Sequence, residues 1–317
     1  MPYRLMHDSA HRHGRRRRGR RGHLRRRTVA VLPSLFTLAN LLCGFLAIFF
    51  ASRPPDGDLP WGWTPLTLAA VFVFLGMLLD ALDGRVARLT GQTSDLGEQL
   101  DSMADMVTFG VAPAFLAIEL VGHSIGGVGT PFLGTAKVDT FFGRVVLVIA
   151  ATYVACAALR LARFNIEKGG PAHAHQQRFK GMPSPGAAGT VCSFVLLHQH
   201  FLANRAVAHW SVSAAAVAMV AIMLLVAVAM VSRQRYLHVA NRFFRGKAPF
   251  ATIVKVVLIA ALLVLWPQVS LACAFALYAL SSPIEWLWQR AARGPHERGA
   301  GDTDAGHPQV AQEAAQQ

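Results

Sequence analysis

The sequence predicts an all-α fold, a polytopic transmembrane helical bundle of about eight spans, and three observations carry that expectation. Hydrophobic residues make up 53% of the 317 residues and charged ones only 15%, too few to cover a water-facing surface on a chain of this length. Apolar segments of roughly twenty residues recur along the chain, the length at which a helix crosses a ~30 Å hydrocarbon layer. Basic residues alternate between connecting loops, as in a chain threaded with one orientation.

Residues 1 to 27 form a Gly/His/Arg-rich arm with eleven arginines and almost no apolar content, a composition that predicts disorder. The apolar run after it is too long for a signal-peptide core and no A-x-A cleavage site follows, so the arm reads as a retained cytoplasmic segment. Residues 28 to 290 form the transmembrane domain. Its spans are placed at about 31 to 51, 63 to 89, 98 to 121, 143 to 164, 184 to 203, 209 to 232, 252 to 267 and 269 to 288, the last two joined by a tight hairpin at Pro267. From Ala291 to residue 317 the chain turns polar and is expected to be disordered.

With the arginine arm inside, the inside loops carry Lys168, Arg178, Lys180, Arg233, Arg235, Arg242, Arg245 and Lys247, against Arg53, Lys137 and Arg205 outside. This places both termini on the cytoplasmic face. The net charge of +14 is concentrated in the arm and these short loops, which points to anionic membrane lipids as the partner and away from nucleic acid. Cys43, Cys156, Cys192 and Cys273 all fall inside apolar segments without a C-x-x-C pair, which argues against a disulfide framework or a zinc site.

The stretch from Asp80 to Asp105 breaks the apolar pattern. Asp80, Asp83, Asp101 and Asp105 sit at or near the ends of two apolar segments, where an unpaired charge in hydrocarbon costs at least ~2.5–3.5 kcal/mol. On a helix, Asp80, Asp83, Gly84 and Ala87 share one stripe with Arg88 beside it, and Gly97, Asp101 and Asp105 share another. Antiparallel helices joined between Thr90 and Asp95 would converge the four carboxylates on the cytoplasmic side. Like charges that close repel unless cations lie between them, and all-oxygen ligation favours Mg²⁺, Mn²⁺ or Ca²⁺ over zinc. Gly84, Ala87 and Gly97 leave room for a bulky ligand, and Arg88 supplies a donor for phosphate.

Other polar positions have two readings. Ser34, Thr37 and Asn40, spaced three apart in the first span, either bond a neighbouring helix or contact a ligand. Arg160 and Arg163, with Asn165 following, either complement the carboxyl end of the fourth span or form an anion site. Pro183 and Pro185 stiffen the turn before the fifth span, and Gly186 to Gly189 offer a small-residue surface for close helix contact.

The pattern D-x2-D-G-x2-A-R-x8-G-x3-D-x3-D, met by Asp80, Asp83, Gly84, Ala87, Arg88, Gly97, Asp101 and Asp105, resembles the signature of the CDP-alcohol phosphatidyltransferase family. Several segments are similar to its phosphatidylserine synthase branch in particular. These are the first span through Thr37 and Asn40, with Ser34 where the branch has Asn; DMVTFGVAPA from Asp105; RLARFN from Arg160; and FKGMPSPGAAG from Phe179. With AMVSRQRY at 229 to 236 the resemblance covers residues 31 to about 240, while the last two spans match only as apolar helices.

The resemblance implies transfer of the phosphatidyl group of CDP-diacylglycerol to the hydroxyl of L-serine, giving phosphatidylserine and CMP. Under it, Asp80, Asp83, Asp101 and Asp105 hold divalent cations and Asp105 is also the general base. Thr37, Asn40, Gly84, Ala87, Arg88 and Gly97 seat the CDP-lipid, and Arg160, Arg163, Asn165 and Lys180 meet the serine carboxylate or a lipid phosphate. It further implies a homodimer in the inner or plasma membrane of a prokaryote-like cell. Three alternatives stand beside this reading. One is phosphatidylglycerophosphate synthase or another member with the same signature and a different acceptor. A second is a secondary transporter, which would also bury carboxylates but for which no internal repeat is visible. A lipid-binding scaffold is the third, and it leaves the acidic cluster unexplained.

Overall fold

The computed structural model describes residues 34–54, 59, 62–90, 95–126, 140–168, 181–203, 209–232, 261–262 and 264–292. The arginine arm, Lys180, most of the expected span at 252 to 267 and nearly all of the polar tail lie outside these. Every regular element among the described residues is helical: α1 (Ser34–Ala51), α2 (Pro65–Thr90), α3 (Asp95–Asp105), a π-helical turn (Met106–Val111), α4 (Ala112–Gly126), α5 (Phe141–Lys168), α6 (Ser184–Ala203), α7 (His209–Val231) and α8 (Pro267–Ala292).

The pattern of α1 shows how this sequence builds a membrane bundle. Thr37, Asn40, Gly44, Ala47 and Ala51 recur at helical spacing and are buried, whereas Leu35, Leu38, Leu42, Phe45 and Phe49 point outward. Small and polar residues face neighbouring helices while large apolar ones face outward, the arrangement suited to lipid rather than water. Six helical stretches are long and apolar enough to cross a membrane: α1, α2, the continuous α3, π-turn and α4 from Leu96 to Ser124, α5, α7 and α8. α6 is less apolar and lies inside the bundle, packed against α8, α2, α7 and α4. That inner position explains why a segment with Ser193 and Gln199 buried in it is nonetheless a long helix.

Eight spans were the expectation, and the described residues do not supply the eighth. At Pro267 they show a bend centred on Trp266, bracketed by helical backbone bonds from Trp266 N–H to the Leu262 carbonyl and from Ser270 N–H to the Trp266 carbonyl, both 3.0 Å. Pro267 opens α8, where its missing N–H leaves no bond unmade. α5 continues to Lys168, one turn past the expected end of its span, and so carries Arg160, Arg163 and Asn165 on regular helix.

Two close approaches lock α6 in place. Gly181 has φ +96°, a left-handed conformation that glycine adopts without penalty, and a Cβ there would lie 2.4 Å from the Met230 carbonyl oxygen. The next residue, Met182, donates its N–H to the Ala229 carbonyl at 3.1 Å, joining the start of α6 to the end of α7. Along α6, the expected small-residue surface is filled by rings of α8: a Cβ on Gly189 would sit 2.1 Å from Phe275 Cε1, and one on Gly186 2.6 Å from Tyr278 Cε1. Gly189→Ala is therefore expected to destabilise the protein by about 1–3 kcal/mol through overpacking. Thermal unfolding in detergent checks this, with Phe275→Leu in the same chain expected to recover much of the loss.

Candidate active site

Asp80 on α2 and Asp101 and Asp105 on α3 come together so that one carboxylate oxygen from each lies within 4.8 Å of the others, all three half-buried. Helical periodicity accounts for the pair on α3, since four residues turn ~400° and return to nearly the same face. The third comes from α2 across the bundle. Asp83 lies outside that group of three. Three residues on from Asp80 it is rotated ~60° around the helix; it is buried and accepts a hydrogen bond from the Thr37 hydroxyl of α1.

α1 reaches the cluster twice more. Asn40, fully buried, donates from Nδ2 to Asp105 Oδ1 at 3.3 Å, and its backbone carbonyl accepts from Thr108 Oγ1 at 2.9 Å. Thr37 and Asn40 thus meet the carboxylates through their own side chains. From the other side, α5 brings Asn165, whose Nδ2 donates to Ser102 Oγ at 2.9 Å, and Arg160, whose Nη1 donates to Ser184 Oγ at 3.1 Å. Arg163, one turn further along α5, is exposed.

Gly84 is exposed, and a Cβ built on it meets nothing within 4 Å, so there is open space at that position of the stripe. Gly97 lies in the first turn of α3, and Ala87 and Arg88 lie in the last turn of α2. The donor set is three carboxylate oxygens close enough to share one ion, a set that suits a hard divalent cation and lacks the nitrogen and sulfur ligands that most zinc sites include. A divalent cation between these carboxylates would offer a docking point for a diphosphate, and the open volume at Gly84 lies on the same helix as Asp80 and Asp83.

Several participants were missed from sequence. Thr108, Tyr153, Ser102 and Ser184 all bond to residues of the site or to its supporting turn. One signal was available: Pro113, in the middle of a long apolar span, has no N–H to give the carbonyl of Phe109 four residues earlier. Glu119 was also missed. It is buried in α4, 3.9 Å from His123, and the intervening helix sets it roughly 20 Å from Asp105.

The Thr37 contact has a measurable consequence. Thr37→Val leaves the buried Asp83 carboxylate without that donor and is expected to cost about 1–3 kcal/mol, read as a lower unfolding midpoint in detergent, while Thr37→Ser keeps the midpoint near wild type.

The model of the family described as CDP-alcohol phosphatidyltransferase matches residues 30–218, a span that holds α1 through the first half of α7 and all four aspartates. The chain is 31% identical over 260 residues to the CDP-diacylglycerol–serine O-phosphatidyltransferase of Helicobacter pylori, covering 81% of this chain and 92% of that one. It is 35% identical over 165 residues to the Bacillus subtilis protein of the same name, covering 52% of this chain and 74% of the relative. The archaetidylserine synthase of Methanothermobacter thermautotrophicus is 34% identical over 167 residues, 52% of this chain and 58% of the relative.

Proposed function

This chain belongs to the CDP-alcohol phosphatidyltransferase family, and on that premise we propose that it transfers the phosphatidyl group of CDP-diacylglycerol to the hydroxyl of L-serine, giving phosphatidylserine and CMP. The observation that carries the reading is the convergence of Asp80, Asp101 and Asp105 at the family's signature spacing. Relatives that share 31–35% identity with it and are named for serine transfer support the acceptor.

Asp80, Asp101 and Asp105, with Asp83 one turn along α2, would hold the divalent cation, Mg²⁺ or Mn²⁺ by preference and Ca²⁺ as a further candidate. A cation bound there would supply charge neutralisation to the diphosphate and polarisation to the phosphorus under attack. The serine hydroxyl oxygen attacks the lipid phosphorus, the bond from that phosphorus to CMP breaks, and the hydroxyl proton passes to Asp105 as general base. Asn40, bonded to Asp105 Oδ1, keeps that carboxylate turned toward the reacting hydroxyl. Gly84, Ala87 and Gly97 make room for the cytidine diphosphate with Arg88 on its phosphates, and Thr37 acts through Asp83. Arg160, Arg163, Asn165 and Lys180 serve the serine carboxylate or the lipid phosphate.

The basic inside loops support a mouth and both termini on the cytoplasmic face of an inner or plasma membrane. The arginine-rich composition of the arm favours attraction to anionic lipid there, and the family resemblance supports a homodimer.

CMP release by the purified protein with serine, glycerol 3-phosphate, inositol phosphate or choline tests the acceptor. Serine is expected to stimulate release, EDTA to abolish it, and a serine rate equal to that of buffer would overturn the assignment. Asp105→Asn is expected to lower turnover about 10²–10⁴-fold while CDP-diacylglycerol still binds, measured by equilibrium binding in parallel with the rate.

A further inference from the structure

The helix that carries Asp101 and Asp105 does not run straight into α4. Six residues, Met106–Val111, form a π-helical turn, with the Ala112 N–H bonded to the Val107 carbonyl five residues back. In an α-helix the Phe109 carbonyl would accept from the N–H of residue 113, but Pro113 has none and its ring crowds that carbonyl. The fully buried Tyr153 of α5 takes the place of the missing donor, its hydroxyl lying 3.0 Å from the Phe109 oxygen.

A second hydroxyl fastens the same turn from the opposite side. Thr108, fully buried, donates to the Asn40 carbonyl of α1, and Asn40 in turn donates to Asp105. Glycines on two helices let this contact form: a Cβ on Gly44 would lie 2.5 Å from Thr108 Oγ1, and one on Gly76 2.6 Å from Thr108 Cγ2 and 2.7 Å from Asn40 Oδ1. That oxygen is buried without a hydrogen-bond partner among the described residues, so the amide is oriented by its bond to Asp105 and by close packing.

We propose that Thr108 and Tyr153 are positioning residues: by clamping the π-helical turn directly after Asp105 between α1 and α5, they hold the carboxylates of α3 at the separation a divalent cation requires. Neither touches substrate. The inference rests on the proposed cation site but not on which alcohol is the acceptor.

Thr108→Val and Tyr153→Phe each delete one hydroxyl at nearly constant volume, and Thr108→Ser restores it; Ser124→Ala, which removes a side-chain to backbone bond at the far end of α4, is the control for general helix damage. Mn²⁺ binding to the full-length protein in detergent is measured from the free-ion electron paramagnetic resonance signal, alongside CMP release and the unfolding midpoint in EDTA. Thr108→Val and Tyr153→Phe are expected to weaken Mn²⁺ binding roughly tenfold or more and to lower kcat with the KM for serine unchanged, whereas Thr108→Ser and Ser124→Ala bind Mn²⁺ as wild type does. Wild-type Mn²⁺ affinity in both hydroxyl deletions, with only the unfolding midpoint lowered, would overturn the proposal and leave the hydroxyls a packing role. If one deletion does not fold, the other, on a different helix, decides. Should wild type bind Mn²⁺ yet release no CMP with serine, the acceptor assignment falls and the binding arms still decide the clamp.

Discussion

Three carboxylates held within 4.8 Å of one another among apolar helices concentrate negative charge where water is scarce. At an effective dielectric of about 20, each pair repels by roughly 3–4 kcal/mol, so three pairs oppose folding by about 10 kcal/mol, the size of a whole domain's stability. Positive charge between the oxygens, or protons upon them, would relieve that repulsion. Thr37 and Asn40 on α1 bring uncharged donors to Asp83 and Asp105, which a cation would not have to compete with.

Containing that charge explains the order of the bundle. α1 turns its small and polar stripe inward because that is where the aspartates are, and its leucines and phenylalanines are left for lipid. α4 and α6 occupy the interior, and the helices that flank them leave large apolar side chains on the outside. The turn that follows Asp105 is bonded through Tyr153 and Thr108 to two helices that do not share a connecting loop.

Much of this was legible in the sequence, and the limits have physical causes. The α3 pair could be read from spacing because a four-residue repeat is local to one helix. Asp83 could not be separated from Asp80 that way, since its bond to Thr37 spans 46 residues and depends on how α1 crosses α2. Arg160 and Arg163 share a face by spacing, yet one finds Ser184 and the other stays exposed, a distinction made by where α6 begins. The inward face of α6 was legible in its glycines, whereas the rings that fill it come from α8, more than 80 residues later. The π turn was foreshadowed by Pro113, but whether a proline in a long span yields a kink, a break or a wider turn depends on neighbours such as Tyr153 that periodicity does not reveal.

Gly84 stands apart from the other glycines of the bundle. Gly44, Gly76, Gly181 and Gly189 are each pressed against protein atoms, whereas around Gly84 the protein makes no claim on the volume. A methyl group at position 84 would meet no protein atom within 4 Å, so a side chain there would alter the open side of α2 without overpacking the helices behind it.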